Sequence, residues 1–144
     1  MRKLITLLAL ILLSFKCFAP ICDTITIIKT TPIIYDSTLL AIMKFESNFN
    51  PNAINYEEDA VGCLQIRPVM LNEVNRIQRE LGQSKFFELK DRFDSTKSVK
   101  MYYIVQKYYN PTGDSKLSAR LWNGGTIKYI PQTEDYWNRV KELI

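Results

Sequence analysis

The 144-residue sequence contains no histidine, and this absence excludes several kinds of active site. Serine and cysteine nucleophiles that need a histidine base are ruled out, and so is zinc held by imidazole. Its three cysteines, Cys17, Cys22 and Cys63, are too scattered for a cysteine-only zinc site, and its five glycines form no phosphate-binding loop. Any catalysis must therefore use carboxylates, amides, hydroxyls or aromatic rings, and we expect neither a cofactor nor a metal ion.

An excess of charge of one sign is also missing once the first residues are set aside. Residues 1–19 contain Arg2, Lys3 and Lys16 and no acidic residue. Without them, 16 of the 19 basic residues remain against 15 acidic ones, a net charge of +1. Because no cluster of Lys and Arg accompanies this balance, we predict no nucleic-acid partner.

Residues 1–19 have the pattern of a secretory signal peptide. A basic start precedes an apolar run from Leu4 to Leu13, and the small residue Ala19 follows. The run is shorter than the roughly 20 apolar residues of a transmembrane helix. We therefore predict export to the periplasm or the extracellular space. Lys16 and Pro20 make a poor cleavage context, so cleavage stays open, and an uncleaved segment would keep the chain associated with a membrane.

Loss of this segment would leave two cysteines, Cys22 and Cys63. An oxidising compartment allows them to form a disulfide. The alternative is a buried thiol at Cys63 and an exposed one at Cys22. The sequence leaves both open, because a bridge depends on a Cα–Cα distance that spacing does not supply.

The remaining chain predicts one mainly α-helical domain over residues 36–144, after an extended lead-in at 20–35. A hydrophobic content of 47% is enough for a compact core. Apolar periodicity and capping residues predict five helices. Their expected ranges are 38–47, 68–81, 95–109, 117–122 and 133–144. Asn, Pro and Gly mark residues 48–68 as an irregular excursion with a small hairpin.

Glu46 lies on the apolar face of the first predicted helix. Leu39, Ile42 and Met43 precede it by seven, four and three residues. A carboxylate there meets the negative end of the helix dipole and loses hydration, and both effects raise its pKa. A carboxylic acid that stays protonated near neutral pH can act as a general acid. The plainer alternative is that Glu46 reaches solvent or pairs with Lys or Arg.

Four short motifs across residues 38–144 resemble those of a known family and occur in the same order as in that family. They are Glu-Ser at a helix end, Gly-x-Leu-Gln-Ile in the excursion, an aromatic-Asn-x-Gly helix stop, and Thr-x-x-Tyr-x-x-x-Val. An Asn-Pro-x-Ala pattern follows the first. This series resembles the soluble lytic transglycosylase family, whose members have the lysozyme-like fold. The resemblance implies an α+β lysozyme-like domain in which the excursion follows the catalytic helix.

The resemblance also implies a reaction and a set of site residues. In the family, one Glu protonates the glycosidic oxygen between N-acetylmuramic acid and N-acetylglucosamine. The same group, now a base, activates the muramoyl 6-hydroxyl, which closes a 1,6-anhydro ring without water. Glu46 would fill this role. The residues implied in substrate binding are Ser47, Gly62, Leu64, Gln65, Ile66, Trp122, Asn123, Gly125 and Tyr136.

The sequence departs from the family pattern at four places. Cys63 and Leu64 replace a Leu-Met pair, Asp59 replaces a Gly, Trp122 stands where Tyr is usual, and Tyr102 occupies the place of a Gly in the long helix. These changes bear on the shape of the subsites more than on Glu46.

Several alternatives remain open at this stage. An acidic side chain of residues 57–59 at roughly 6.5–9.5 Å from Glu46 would suit a water-using muramidase of the goose-type-lysozyme kind. An inactive module that only binds peptidoglycan is a second alternative. The expected partner is the glycan strand, and the chain is expected to be a monomer. If the chain is a component of a secretion, conjugation or phage machine, its partner differs but its reaction stays the same.

Overall fold

Aspartate caps and helix-forming runs determine where the helices of this chain begin. The computed structural model describes residues 35–125 and 133–144, all of which belong to the unit Ile34–Ile144. Asp36, Asp94 and Asp114 each accept a hydrogen bond from a backbone N–H in the first turn of the helix that follows. These helices are α1 (Ser37–Ser47), α3 (Ser95–Tyr109) and α4 (Ser115–Gly124).

Two further helices complete the helical part of the described chain. Helix α2 (Pro68–Glu80) begins on a proline, whose missing N–H costs nothing in the first turn. Helix α5 (Glu134–Val140) continues into a 3-10 turn, Lys141–Leu143. Another 3-10 turn, Leu89–Phe93, precedes α3 and was not expected from the sequence. The mainly α-helical class with a small β excursion is thus confirmed.

The excursion between α1 and α2 contains a small antiparallel hairpin. Strand β1 (Ile54–Asn55) pairs with β2 (Ala60–Val61), with Ile54 opposite Val61 and Asn55 opposite Ala60. A further bridge joins Val61 to Ile66. The chain therefore turns back on itself twice before α2 begins.

The core lies where α1 and α3 pack against their neighbours. Helix α1 contacts α4, α5 and the C-terminal 3-10 turn, whereas α3 contacts α2 and α4. The fully buried large side chains of this core are Leu39, Ile42, Leu64, Ile66, Val74, Ile77, Val99, Met101, Tyr102, Val105, Leu121 and Val140. Helix α1 is thus fixed on one side, and its C-terminal end is presented to the excursion.

Three apolar or aromatic residues at or near helix ends are exposed. Leu81 and Leu143 continue the apolar spacing of their helices in the sequence, yet they are 59% and 45% exposed. Both lie at or beyond the end of their α-helix, where the periodicity no longer holds. Apolar and aromatic residues occupy much of α3, yet Tyr108 is exposed, and its hydroxyl donates to Glu80 at the surface (2.6 Å).

Two predicted segments lie outside this description. The signal segment 1–19 falls outside the described residues, and so does the lead-in 20–35 apart from Tyr35. Cys22 is also outside, while Cys63 is a buried free thiol. Within the described ranges, no helix is long and apolar enough to cross a membrane.

Candidate active site

Glu46 lies in the last turn of α1 and is held from across the molecule by Tyr136. The Tyr136 hydroxyl of α5 donates a hydrogen bond of 2.7 Å to Oε1 of Glu46. Tyr136 is itself 8% exposed and packs edge-on against Phe45, with ring centroids 5.2 Å apart. This contact fixes one carboxyl oxygen and leaves Oε2 to carry a proton.

Burial shifts the protonation of Glu46. Desolvation raises its pKa from 4.5 to about 6, against the opposing effects of the Tyr136 hydrogen bond and the nearby Arg67 cation. The negative charge of Glu58 adds to the increase. A carboxyl group with this pKa can release a proton to a substrate in mildly acidic solution and recover it afterwards.

A cleft of about 140 Å³ opens over Glu46 between the excursion and the ends of α1 and α4. Its walls carry both amide and charged groups. The lining residues are Glu46, Asn55, Glu58, Ala60, Gln65, Ile66, Arg67, Met70, Trp122 and Asn123. Five of the ten residues proposed from the sequence therefore meet in one cleft, and Tyr136 reaches it through Glu46.

Gln65 shapes the wall of the cleft as well as lining it. Its backbone adopts a left-handed conformation, with φ of +46°, which is unusual for a residue that carries a side chain. Its side-chain amide donates to the carbonyl oxygens of Gly62 at 2.9 Å and Ala53 at 3.3 Å. The amide thus holds the excursion in its fold.

Ser47, Gly62 and Leu64 support the site from outside the cleft lining. The Ser47 hydroxyl donates to the carbonyl of Cys63 at 2.9 Å, so it joins the end of α1 to the excursion. The carbonyl of Leu64, a fully buried residue, accepts a 3.0 Å hydrogen bond from the Trp122 indole. Trp122 is only 4% exposed, so most of its ring surface belongs to the core.

Gly62 allows the excursion to approach the buried Arg92 closely. A Cβ atom at Gly62 would lie 2.0 Å from the carbonyl oxygen of Arg92, and Gly62 has φ of +81°. The Arg92 guanidinium in turn donates to the carbonyls of Asp59 (2.7 Å) and Ile66 (3.0 Å). One buried arginine therefore holds the outer and inner turns of the excursion together.

Gly125 lies apart from the cleft. It ends α4 with φ of +78° and lines a neighbouring groove along α2 instead. Asn123, by contrast, lines the cleft with an exposed side chain, and its carbonyl accepts a 2.9 Å hydrogen bond from Arg67.

Sequence reasoning missed part of the lining. Arg67 and Met70 belong to the start of α2, directly after the Gly-x-Leu-Gln-Ile motif, and this adjacency was the signal available. Asn55 was not singled out. Glu58 was considered only as one of the acidic residues 57–59 that a water-using muramidase could employ; it lines the cleft and pairs with Arg67 at 3.7 Å. Among the described residues, no group of three or more Cys, Asp and Glu side chains is placed to hold a metal ion.

One known family matches most of the chain. The model of the transglycosylase SLT domain matches residues 23–129, well over half of the chain. Searches of the curated proteins and of the solved structures gave no match.

Proposed function

The chain belongs to the transglycosylase SLT domain family, and from this premise we propose that it cleaves peptidoglycan with Glu46 as its single acid and base. The family acts on peptidoglycan, which lies outside the cytoplasm. The proposed bond is the β-1,4 linkage between N-acetylmuramic acid and N-acetylglucosamine. The observation that carries the proposal is the Glu46 carboxyl, held at 2.7 Å by Tyr136 inside a polar cleft.

The first step would be proton transfer from Glu46 to the glycosidic oxygen. The bond from that oxygen to C1 of the muramoyl sugar breaks, and the N-acetylglucosamine end leaves as an alcohol. The sugar's own N-acetyl oxygen would stabilise the positive charge at C1, so a second carboxylate is not required. The pKa of about 6 makes Glu46 a suitable donor.

In the second step the ionised Glu46 would take the proton of the muramoyl 6-hydroxyl. Oxygen O6 then bonds to C1 and closes the 1,6-anhydro ring, and Glu46 regains its proton. No water enters the balance. Gln65 and Asn123 would bind the sugar amides, while Trp122 would contact a ring through the small part of its face that reaches the cleft.

Product analysis of digested peptidoglycan tests this proposal. Mass spectrometry should find 1,6-anhydro products with the wild-type chain. Glu46→Gln should lower their rate of formation by at least about a hundredfold, since a general acid contributes that much or more. If Glu46→Gln keeps most of the activity, the mechanism is wrong.

A hydrolytic muramidase is the second candidate, because Glu58 lines the same cleft. In that reaction Glu58 would activate a water, and the products would carry reducing ends that are heavier by one water. The pairing of Glu58 with Arg67 at 3.7 Å favours a structural role instead. Glu58→Gln distinguishes the two: anhydro products should persist, whereas a hydrolase would lose turnover.

We further propose that residues 1–19 direct export and that the chain acts as a monomer on glycan strands. Cleavage of the full-length chain on export can be followed by the mass of its N-terminal peptide. Size-exclusion chromatography with light scattering should give a monomer.

A further inference from the structure

A second groove lies on the far face of the hairpin from the catalytic cleft. Residues that lie opposite each other on paired strands share one face of a sheet. Asn55 is opposite Ala60, and both line the cleft. Ile54 is opposite Val61, and both line the second groove, which has a volume of about 390 Å³. This volume is within the range of small-ligand sites, and we call the second groove the outer groove.

Large apolar side chains around the outer groove are open to solvent. Tyr56, at the hairpin turn, is 86% exposed, and Ile54 and Phe93 are exposed as well. No other aromatic ring of the described residues packs on the Tyr56 ring. A ring with so little of its surface buried contributes little to folding, so its apolar faces are available to a ligand.

Two polar side chains of the outer groove keep hydrogen-bonding capacity. Oδ1 of Asn55 accepts a 3.1 Å hydrogen bond from the Glu57 N–H, so the amide nitrogen still has two hydrogens to donate. Oδ1 of Asp59 accepts from Arg92 at 3.3 Å, whereas its Oδ2 has no donor among the residues that the structure describes. The outer groove therefore offers a ligand both a donor and an acceptor.

The charges of the outer groove favour a neutral ligand. The charged side chains that line it are Arg92 and Asp59, and they form an ion pair at 3.3 Å. The Arg92 guanidinium also donates to three backbone carbonyls, so little of its capacity is left for an anion. The backbone of an N-acetylated β-1,4-linked glycan is neutral. Its C–H faces can pack on an aromatic ring, and its hydroxyl and acetamido groups can bond to Asn55 and Asp59.

The place of the outer groove determines which strand it can bind. The cleft and the outer groove occupy opposite faces of one hairpin, and Asn55 at the edge lines both. A β-1,4-linked strand is extended and stiff, so a strand in the cleft does not bend round this edge to the far face. Peptidoglycan presents many strands side by side, and a neighbouring strand can reach the outer groove.

We propose that the outer groove binds a second glycan strand while the first lies in the cleft. An N-acetylhexosamine ring of the second strand packs on Tyr56, and its polar groups bond to Asn55 and Asp59. The choice of polymer rests on the proposed function. The new site adds a contact that takes no part in bond cleavage and holds the enzyme on the wall between one cleavage and the next.

Co-sedimentation of Glu46→Gln with insoluble chitin and with purified peptidoglycan sacculi tests the inference. Both polymers present many N-acetylated strands, but only the sacculi carry peptides. A second change, Tyr56→Ala, should raise the Kd for both polymers about fivefold, because the apolar contact of one ring is lost. Tyr56→Phe keeps the ring and should bind like the parent. Tyr108→Ala, which removes an exposed tyrosine of α3 outside the cleft and the outer groove, is the matched control and should also bind like the parent.

Initial rates on a soluble glycan fragment separate a second strand from a continuation of the first. With Glu46 intact, Tyr56→Ala should leave kcat/KM for this fragment unchanged. A fall in kcat/KM would mean that one strand continues over the hairpin, and this result overturns the inference. An unchanged Kd of Tyr56→Ala on chitin overturns it too, and so does a loss confined to sacculi, which would point to the peptides. If Glu46→Gln binds neither polymer, the proposed function fails as well.

Discussion

In the proposed mechanism, the pH dependence of activity follows the protonation of Glu46. The proposed first step requires the acid form of Glu46, and burial raises the pKa of this carboxyl group to about 6. We expect kcat/KM to fall about tenfold for each pH unit above this value. In Tyr136→Phe the ionised form loses a hydrogen bond, so the decline should move to higher pH by up to about one pH unit.

Initial rates on a soluble glycan fragment from pH 4 to 9 would measure this profile. Phe45→Leu offers a control, because it changes the packing around Tyr136 and leaves the hydroxyl in place. A decline that stays at the same pH in Tyr136→Phe would show that Glu46 is not the group being titrated.

The same raised pKa predicts that Glu46 destabilises the fold at neutral pH. Between about pH 4.5 and 6 the native state keeps a proton that the unfolded chain has lost. Stability therefore falls as the pH rises through this window, and the loss is complete above it. Glu46→Gln should be more stable than the wild type by about 1–2 kcal/mol at pH 7 and equally stable at pH 4.

Urea unfolding of both proteins at the two pH values would provide the comparison. Glu57→Gln is a suitable control, since Glu57 is an exposed carboxylate of the excursion and does not line the cleft. Equal stability of Glu46→Gln and the wild type at pH 7 would contradict the buried, protonatable carboxyl.

At the scale of elements, the excursion depends on one close backbone approach. Gly62 and Gly113 both have positive φ, at +81° and +71°, but only at Gly62 would a Cβ meet other atoms. Gly113→Ala should cost about 1 kcal/mol from its backbone conformation alone. Gly62→Ala should cost about 2–3 kcal/mol more, because the Arg92 carbonyl cannot move without breaking the buried contacts of that segment.

Paired urea denaturation curves would separate the two costs. We also expect Gly62→Ala to lose activity, since the displaced excursion carries Gln65 and Ile66 into the cleft wall. If the two alanine variants lose the same stability, the close packing of the excursion on Arg92 is not as described.

The helices were predictable from the sequence, and the excursion was predictable only in outline. Aspartates before α1, α3 and α4 are local signals, because each cap bonds to an N–H three residues later. The excursion is held by long-range contacts instead, such as that of the Arg92 guanidinium with the Asp59 carbonyl 33 residues away. No periodicity reveals such a partner, and for this reason the 3-10 turn that contains Arg92 was missed.

At the scale of the whole molecule, the cleft unites parts of the chain that are far apart in sequence. Glu46 ends α1, Trp122 and Asn123 end α4, and Tyr136 belongs to α5. A glycan bound across these elements should therefore stabilise the entire fold. In Glu46→Gln, a chitin-type or peptidoglycan oligosaccharide at a hundred times its Kd should add about 2.7 kcal/mol to the free energy of unfolding.

Thermal unfolding with increasing oligosaccharide measures this effect. Cellotetraose, which lacks N-acetyl groups, serves as the control and should give a much smaller shift. Equal increases in melting temperature with both sugars would show that the amide groups of the cleft do not recognise the N-acetyl substituents.

The sequence pointed to the residues that carry the proposed chemistry and missed those that modulate it. Glu46 stood out because a carboxylate on an apolar helical face is costly, and motif order pointed to Gln65, Trp122 and Asn123. Arg67 gave no comparable signal, and Glu58 stood out only as one of the acidic residues 57–59, since a charged residue in a polar loop is ordinary. Their meaning comes from a shared cleft, which depends on how the hairpin folds over the start of α2.

The hydrogen bonds that the Gln65 side chain donates have one further consequence. Its amide nitrogen has two hydrogens, and two backbone carbonyls of the excursion receive them. The side chain can therefore offer a ligand only its oxygen, so the sugar group that meets it must be a donor, such as an acetamido N–H or a hydroxyl. Gln65 would therefore select a hydrogen-bond donor at this position. It would orient an N-acetyl group with its N–H toward the Gln65 oxygen and would leave the acetyl oxygen free to stabilise the cation at C1.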